Sequence, residues 1–222
     1  GWFWRESENS KVKSLQHLLK IYYESVGRNS LLLLNVPADN RGLIHEVDSL
    51  RLMELRAALD EIFSVDLAEG AKVESDNVRG DSRLFKAQNL LDKDYDKYWA
   101  TDDEVTKTSF VVTLPEMRTF NRVQLQEYIP LGQRVAAFSI DAMAEDGSWQ
   151  PIARETTIGY KRIVHVPVTT TTAVRVNIEE SEACPVLNGF ALFMDNIYNS
   201  IEMSNVPSGE VKPASESLVA DM

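Results

Sequence analysis

The carboxylates, histidines and single thiol of this 222-residue sequence are the first places to look for chemistry. Glu6 and Glu8 are the nearest thing to a reactive carboxylate pair at the start of the chain. They stand in a polar run at a helix start, where the positive end of the helix dipole favours solvated acids, and that reading takes precedence. His17 falls on a helical pattern and His45 in a loop, neither with a partner at metal-ligand spacing. Cys184 is the only cysteine, which excludes an intramolecular disulfide and any cysteine-based metal cluster. These groups therefore assemble no reaction centre by themselves. The net charge of −11 argues against binding nucleic acid or an anionic membrane, since both need clustered Lys and Arg. No apolar segment approaches the roughly 20 residues of a membrane span. Hydrophobic content of 44% and charged content of 26% are those of an ordinary globular protein, of a length that suits one large or two modest domains. The first residue is Gly rather than Met, and no signal peptide is visible, so targeting cannot be read.

Stepping along the chain, the residues after GWFWRESENS show a helical period. Ser10 is a suitable N-cap for a helix over Lys11–Val26, with Val12, Leu15, Leu18, Leu19, Tyr22 and Val26 on one stripe. Gly27 stands where a left-handed C-terminal cap belongs. Leu31–Leu34 is an apolar run without polar alternation, the pattern of an inner parallel strand covered on both faces, and it ends at Asn35. Pro37 to Gly42 has turn composition, and Asp48 can cap a helix over Ser49–Phe63 that buries Leu52, Leu55, Leu59 and Ile62. Such a strand needs a neighbour on each edge and helices on both faces. The expectation is that the chain begins inside a larger α/β domain.

After Phe63 the period changes to two. FNRVQLQEY sets Val123 and Leu125 against Arg122, Gln124 and Gln126, and VAAFSIDAMA puts Ala136, Phe138, Ile140 and Ala142 on one face. Asp146-Gly147 makes a tight turn, and IGYKRIVHV, TAVRVNI and NGFALF follow as further strands. Short strands with turn residues between them indicate an antiparallel β-sandwich over residues 65–194. From Asp195 onward, residues 195–222 read as an acidic, flexible tail.

The phrase YYESVGRNSLLLLNVPADNRGLI resembles the end of the catalytic barrel in the α-L-fucosidases of glycoside hydrolase family 29, and GWFW resembles the segment after that family's acid/base region. The resemblance covers residues 1–64. It implies an α/β fragment, the end of a (β/α)8-like barrel, belonging to a retaining exo-enzyme that removes fucose from glycans. The family's nucleophilic Asp and acid/base Glu lie on strands before GWFW, so no catalytic residue carries over and the chain alone is expected to be inactive. What carries over is a wall of the sugar site. Trp2 and Trp4, with Phe3 between them, offer aromatic faces for a deoxysugar, and Asn35, at the C-terminal end of the leucine run, could orient a neighbouring group. Arg28 is expected to tie a helix end to a carboxylate.

The second part is similar to the discoidin-like, galactose-binding-like jelly rolls related to coagulation-factor type C modules, on the phrases NLLDKDYDKYWATDD, EDGSWQPIA, TAVRVNI and NGFALF. EYIPLGQRV and IGYKRI are similar to segments of domains appended to bacterial family 29 fucosidases. The complete expectation is an all-β jelly-roll sandwich following the barrel fragment. Relatives hold a structural calcium beside the acidic loop, and Asp92, Asp94 and Asp96 could supply some of the six to eight oxygens that calcium takes. Lys97 and Ala191 depart from that pattern, so a solvated acidic loop is the expectation and no cofactor is required. For glycan binding the resemblance points to Tyr128, Arg134, Tyr160, Lys161, Arg162 and His165. Tyr160 and Arg162, sharing a face, could instead pack on a neighbouring domain; Trp99 reads as core and Trp149 as a packing residue. The implied partners are the N-terminal barrel of the same polypeptide and a fucosylated glycan, in a periplasmic or secreted setting. Two other readings stand beside this one, a stand-alone carbohydrate-binding module and a structural interdomain scaffold.

Overall fold

The computed structural model describes residues 2–198. Glu6–Lys11 forms a 3-10 turn, and α1 runs from Leu15 to Ser25. The helix starts later than the stripe suggests because Ser14, not Ser10, caps it, its Oγ accepting the His17 amide at 3.2 Å. The second helix, α2 (Glu46–Phe63), starts earlier than expected, since His45 takes the capping role through Nδ1, which accepts the Val47 amide at 3.2 Å. The two helices pack through Leu18, Leu19, Leu55, Ala58 and Ile62, a small core of its own.

Two expectations for this part are corrected. Gly27 is not left-handed; the positive φ belongs to Asn29, at 64°. Gly27 is required for closeness instead, because a Cβ there would lie 2.5 Å from the Tyr23 carbonyl oxygen. The leucine run is not a strand. Among the described residues, positions 31–37 make no backbone-to-backbone hydrogen bond, and a parallel strand exists only where neighbours pair with it.

The β-part has seven strands: β1 (Lys72–Ser75), β2 (Trp99–Ala100), β3 (Thr108–Glu127), β4 (Val135–Met143), β5 (Trp149–Glu155), β6 (Arg162–Ser181) and β7 (Val186–Phe193). All pairings are antiparallel, in the order β2-β7-β3-β6-β4-β5 with β1 also on β3. The two 20-residue strands, β3 and β6, belong to both layers. The first half of β3 pairs with β1, and its second half with β7. Between them the register with β6 breaks at Thr113/Arg118, around Pro115, which has no N–H to give a ladder. The layers enclose Trp99, Phe110, Phe120, Phe138, Val123, Leu125 and Ile140, all fully buried. Val123, Leu125, Phe138 and Ile140 are the inward residues that the period of two selects. Short 3-10 turns over residues 79–91, which no sequence period marked, close the end beside β7 and β2.

The helices and the sandwich share an interface. Phe63 meets Phe193 edge-on at 5.0 Å, and the Leu67 amide donates to the Leu192 carbonyl at 2.8 Å. At its centre Arg122 and Asp195 form a fully buried ion pair at 3.0 Å. The Tyr23 hydroxyl donates to the same Asp195 oxygen at 2.6 Å, and Arg122 lies 4.9 Å over the Tyr23 ring. Burial, and then the Asp195 carboxylate, hold the Tyr23 phenol far above its ordinary range, so it remains a donor. Asp195 thus belongs to the folded body and not to a tail, because a buried guanidinium requires a carboxylate. Residues 199–222, the rest of the expected acidic tail, lie outside the described residues.

Candidate functional site

The stretch from Leu31 to Val36 alternates in exposure. Leu31, Leu33 and Asn35 are exposed, the two leucines at 95% each, whereas Leu32, Leu34 and Val36 are half-buried. Leu34 packs against the helical core. One face is therefore covered by α1 and α2, and the other is bare, with Asn35 at its far end. Asn35 Nδ2 donates to the Trp2 carbonyl at 3.3 Å, and Trp2 and Phe3 present 76% and 77% of their surface to solvent. Trp2 and Asn35 are thus brought together.

Trp4 has further partners of its own. Its indole N–H donates to Asn9 Oδ1 at 3.1 Å, and its ring stacks on His45 at 5.8 Å. His45 Nδ1 accepts from Val47, and its Nε2 lies 3.1 Å from Asn9 Nδ2 and 3.6 Å from Glu46 Oε2. Trp4 and His45 form one wall of a polar cleft of about 230 Å³ that also includes Glu6, Asp39, Asn40 and Arg41. Asp39 is a buried acid that Arg41 grips through Nε (2.9 Å) and Nη2 (2.6 Å), while Arg41 also reaches Glu46 at 2.8 Å. The Arg41 hydrogen bond holds the Asp39 carboxyl below its usual range. This loop therefore presents a fixed guanidinium at the same end of the chain segment as Asn35. A second crevice, of about 220 Å³, is lined by Phe3, Trp4 and Asn35 together with Leu18, Leu34 and Leu52, so Trp4 and Asn35 share one concavity beside the helices.

Of the glycan candidates in the sandwich, Arg162 and His165 share a groove, and Tyr128, Arg134 and Tyr160 lie on the loops around Glu127. Tyr128 stacks on Tyr98 at 4.6 Å, with its hydroxyl 3.4 Å from Asp96. Arg134 is occupied in holding its own loop, donating to the Leu131 carbonyl at 3.0 Å and to the Cys184 carbonyl at 2.8 Å. Tyr160 is 52% exposed. Arg162 is ion-paired to Glu155 and lies with His165 in a groove shared with Tyr23, Lys20 and Arg28 of the helical part. Arg162 thus faces the neighbouring unit, and Arg28 meets it in an isolated antiparallel bridge. Half-burial lowers the Lys161 ammonium below its ordinary range. Trp99 is fully buried, and Trp149 packs under the Arg175 guanidinium at 4.7 Å.

The acidic loop is arranged around Lys97. Asp92 accepts its ammonium at 2.8 Å and Asp94 lies 3.9 Å away, so Asp92 sits below the ordinary carboxylate range. Asp92 Oδ1 also caps the Asp94 amide and Asp94 Oδ1 the Asp96 amide. Among the described residues no group of three or more His, Cys, Asp or Glu is placed to hold a metal ion, and Asp92, Asp94 and Asp96 do not converge.

Sequence reasoning missed Tyr23, Asn29, Asp39, Arg41, Arg122 and Asp195. Arg122 alternates with Val123 and looks solvent-facing; Tyr23 of the helical part and Asp195 and Tyr198 after β7 cover it. Asn29 carried a usable signal, since Asn is one of the few non-glycine residues that tolerates positive φ.

A two-layer antiparallel jelly roll entered by a docked helical pair defines the class. The chain belongs to the F5/8 type C domain family, which matches residues 71–189. Its relatives are α-L-fucosidases. It is 37% identical over 218 residues to a protein of Oryza sativa subsp. japonica that carries an α-L-fucosidase name, covering 97% of this chain and 42% of that protein. Alpha-L-fucosidase 1 of Arabidopsis thaliana is 36% identical over 203 residues, covering 90% and 40%. A Ruminococcus gnavus fucosidase of glycoside hydrolase family 29, solved in complex with fucose, superposes with a TM-score of 0.81 at 28% identity, covering 89% of this chain and 40% of that one. The chain spans about two fifths of the length of the curated relatives it matches.

Proposed function

We propose that this chain is the C-terminal portion of a retaining exo-α-L-fucosidase, contributing one wall of the sugar site and the domain that supports it. The observation that carries the reading is the alternation at Leu31–Val36. In a (β/α)8 barrel, helices cover the outer face of each strand, and the inner face fills the interior. Leu32, Leu34 and Val36 have the half-burial of an outer face, and Leu31, Leu33 and Asn35 the exposure of an inner one awaiting its neighbours. The direction of the chain puts Asn35 at the C-terminal end, where barrel chemistry takes place.

On this reading the upstream carboxylates perform the chemistry. One attacks the anomeric carbon while the other protonates the leaving oxygen, from about 5 Å apart. The residues of this chain bind and orient. Trp2 offers an apolar face to the methyl-bearing side of fucose, Asn35 Nδ2 donates at the barrel mouth, and Arg41 stands beside the mouth as a fixed donor. The test is hydrolysis of 4-nitrophenyl α-L-fucopyranoside. This chain alone should release no nitrophenol, and a polypeptide that adds the preceding barrel strands should release it with retention of anomeric configuration. In that polypeptide Asn35→Ala should lower kcat/KM by about tenfold, the worth of one hydrogen bond to the bound sugar. Full activity in Asn35→Ala would refute its role, and hydrolysis by the chain alone would refute the whole assignment.

A further inference from the structure

The sandwich grips the chain immediately before the leucine segment. Asn29, in the left-handed conformation, donates its amide to the Lys161 carbonyl at 2.9 Å and accepts the Tyr160 amide on Oδ1 at 2.6 Å. Its Nδ2 donates to Gln133 Oε1 at 3.1 Å. Two residues back along α1's exit, the Gly27 carbonyl accepts the Ile163 amide at 2.9 Å. The turn that receives Asn29 is shaped for it: a Cβ on Gly159 would lie 2.3 Å from the Asn29 amide carbon, and Gly159 itself has φ of +67°. That turn is fixed from behind by Glu127, which is fully buried and accepts the Gly159 amide at 2.6 Å on one oxygen and the Val135 amide at 2.9 Å on the other.

We infer that Asn29 is a positioning residue, the joint through which the sandwich sets where the leucine segment begins and so where Asn35 presents its amide. The inference rests on the functional reading given above for that segment. Asn35 lies six positions after Asn29, about 20 Å of extended chain. Within this chain residues 31–37 have no backbone partner among the described residues, so this joint is their nearest fixed point on the sandwich side. A displacement of about 1 Å at a reacting group can lower a rate on the order of a hundredfold, which makes such a joint consequential for chemistry it never touches.

Two variants separate positioning from mere support. Asn29→Gly keeps the positive φ and removes the amide, whereas Asn29→Asp keeps an oxygen acceptor for the Tyr160 amide. In this chain, NMR-detected hydrogen exchange at the Tyr160 and Ile163 amides should quicken about five- to tenfold in Asn29→Gly, stay near the native rate in Asn29→Asp, and be unchanged at Val123 and Val176 in both. Unchanged exchange at Tyr160 and Ile163 in Asn29→Gly would overturn the joint. In the polypeptide with the complete barrel, Asn29→Gly should lower kcat about tenfold with KM within about twofold, and Asn29→Asp should restore it. A native kcat in Asn29→Gly, even with a lowered Tm, would overturn the positioning role. Should that polypeptide hydrolyse no α-L-fucoside, the functional reading fails, while the exchange measurement still decides whether Asn29 is the joint.

Discussion

Replacing Asp195 by Ala is the sharpest perturbation of the contact between the helices and the sandwich. The substitution withdraws the carboxylate that faces Arg122 at 3.0 Å, in a place where neither side chain exceeds 1% exposure. It also removes the acceptor of the Tyr23 hydroxyl and the Oδ1 that caps the Ile197 and Tyr198 amides at 2.9 and 2.8 Å. Removing one partner of a buried pair costs about 3–5 kcal/mol, because the remaining charge keeps its desolvation penalty. That is a large part of the roughly 5–15 kcal/mol that holds a domain folded. With a urea m-value of about 2 kcal/mol/M, the unfolding midpoint measured by far-UV circular dichroism should fall by about 1.5–2.5 M. Asp195→Asn, which keeps the Oδ1 cap but not the charge, should fall between the two. The double variant Arg122→Met, Asp195→Leu should recover only part of the loss, since apolar residues can replace a buried pair but leave the Tyr23 hydroxyl and the Ile197 and Tyr198 amides without their acceptor. A midpoint shift below about 0.5 M in Asp195→Ala would refute the reasoning, for it would mean that the pair is solvated in solution.

Burial holds the Asp66 carboxyl above its ordinary range, against the opposing hydrogen bonds from the Leu192 and Ala68 amides. A raised folded-state value means that its stabilising contribution is complete below the unfolded value, about 3.9, and is lost as pH rises through the folded one. Asp66→Asn retains the Oδ1 acceptor, so it should raise Tm at pH 7 and leave it unchanged near pH 3; an equal gain at both pH values would contradict this. Millimolar calcium should leave the Tm of this chain unchanged, because Lys97 already occupies Asp92 at 2.8 Å, and a rise of several degrees would show that the acidic loop can expel its ammonium. Under limited proteolysis the first cuts should fall within residues 30–36, where Leu31 and Leu33 are exposed and no backbone pairing protects the chain. Earlier cutting in β3 or β6, detected by mass spectrometry, would contradict the assignment of the sandwich as the stable unit.

Much of the sandwich was legible because period-two alternation is a local signal. Val123, Leu125, Phe138 and Ile140 announce an inward face through their own spacing, and Trp99 is core as its setting implies. The 3-10 turns of residues 79–91 were not legible, since three to five residues are too few to show a period. Capping was read one turn out at both helices, because Ser10 and Ser14 are equally able caps until packing chooses the helix start, and His45 is a residue type that capping preferences do not select. The leucine run was misread as a formed strand for a related reason: its composition speaks of burial on two faces, but the backbone pairing that makes a strand comes from other residues. Within that run Leu34 packs against the helices.

By itself, then, the sequence determined which faces of the sandwich strands are apolar and where the main turns fall. It also determined the family, through the jelly-roll phrases between residues 71 and 189. Only the tertiary structure decided that Arg122 and Asp195, 73 positions apart, share one buried pair, and that Asn29 enters the Gly159 turn of a different unit. It also separated Arg134 and Tyr128 from Arg162 and His165. The physical reason is common to all of these. Apolar patterning follows from neighbours along the chain, whereas the partner of a polar group is fixed by whichever distant surface removes it from water.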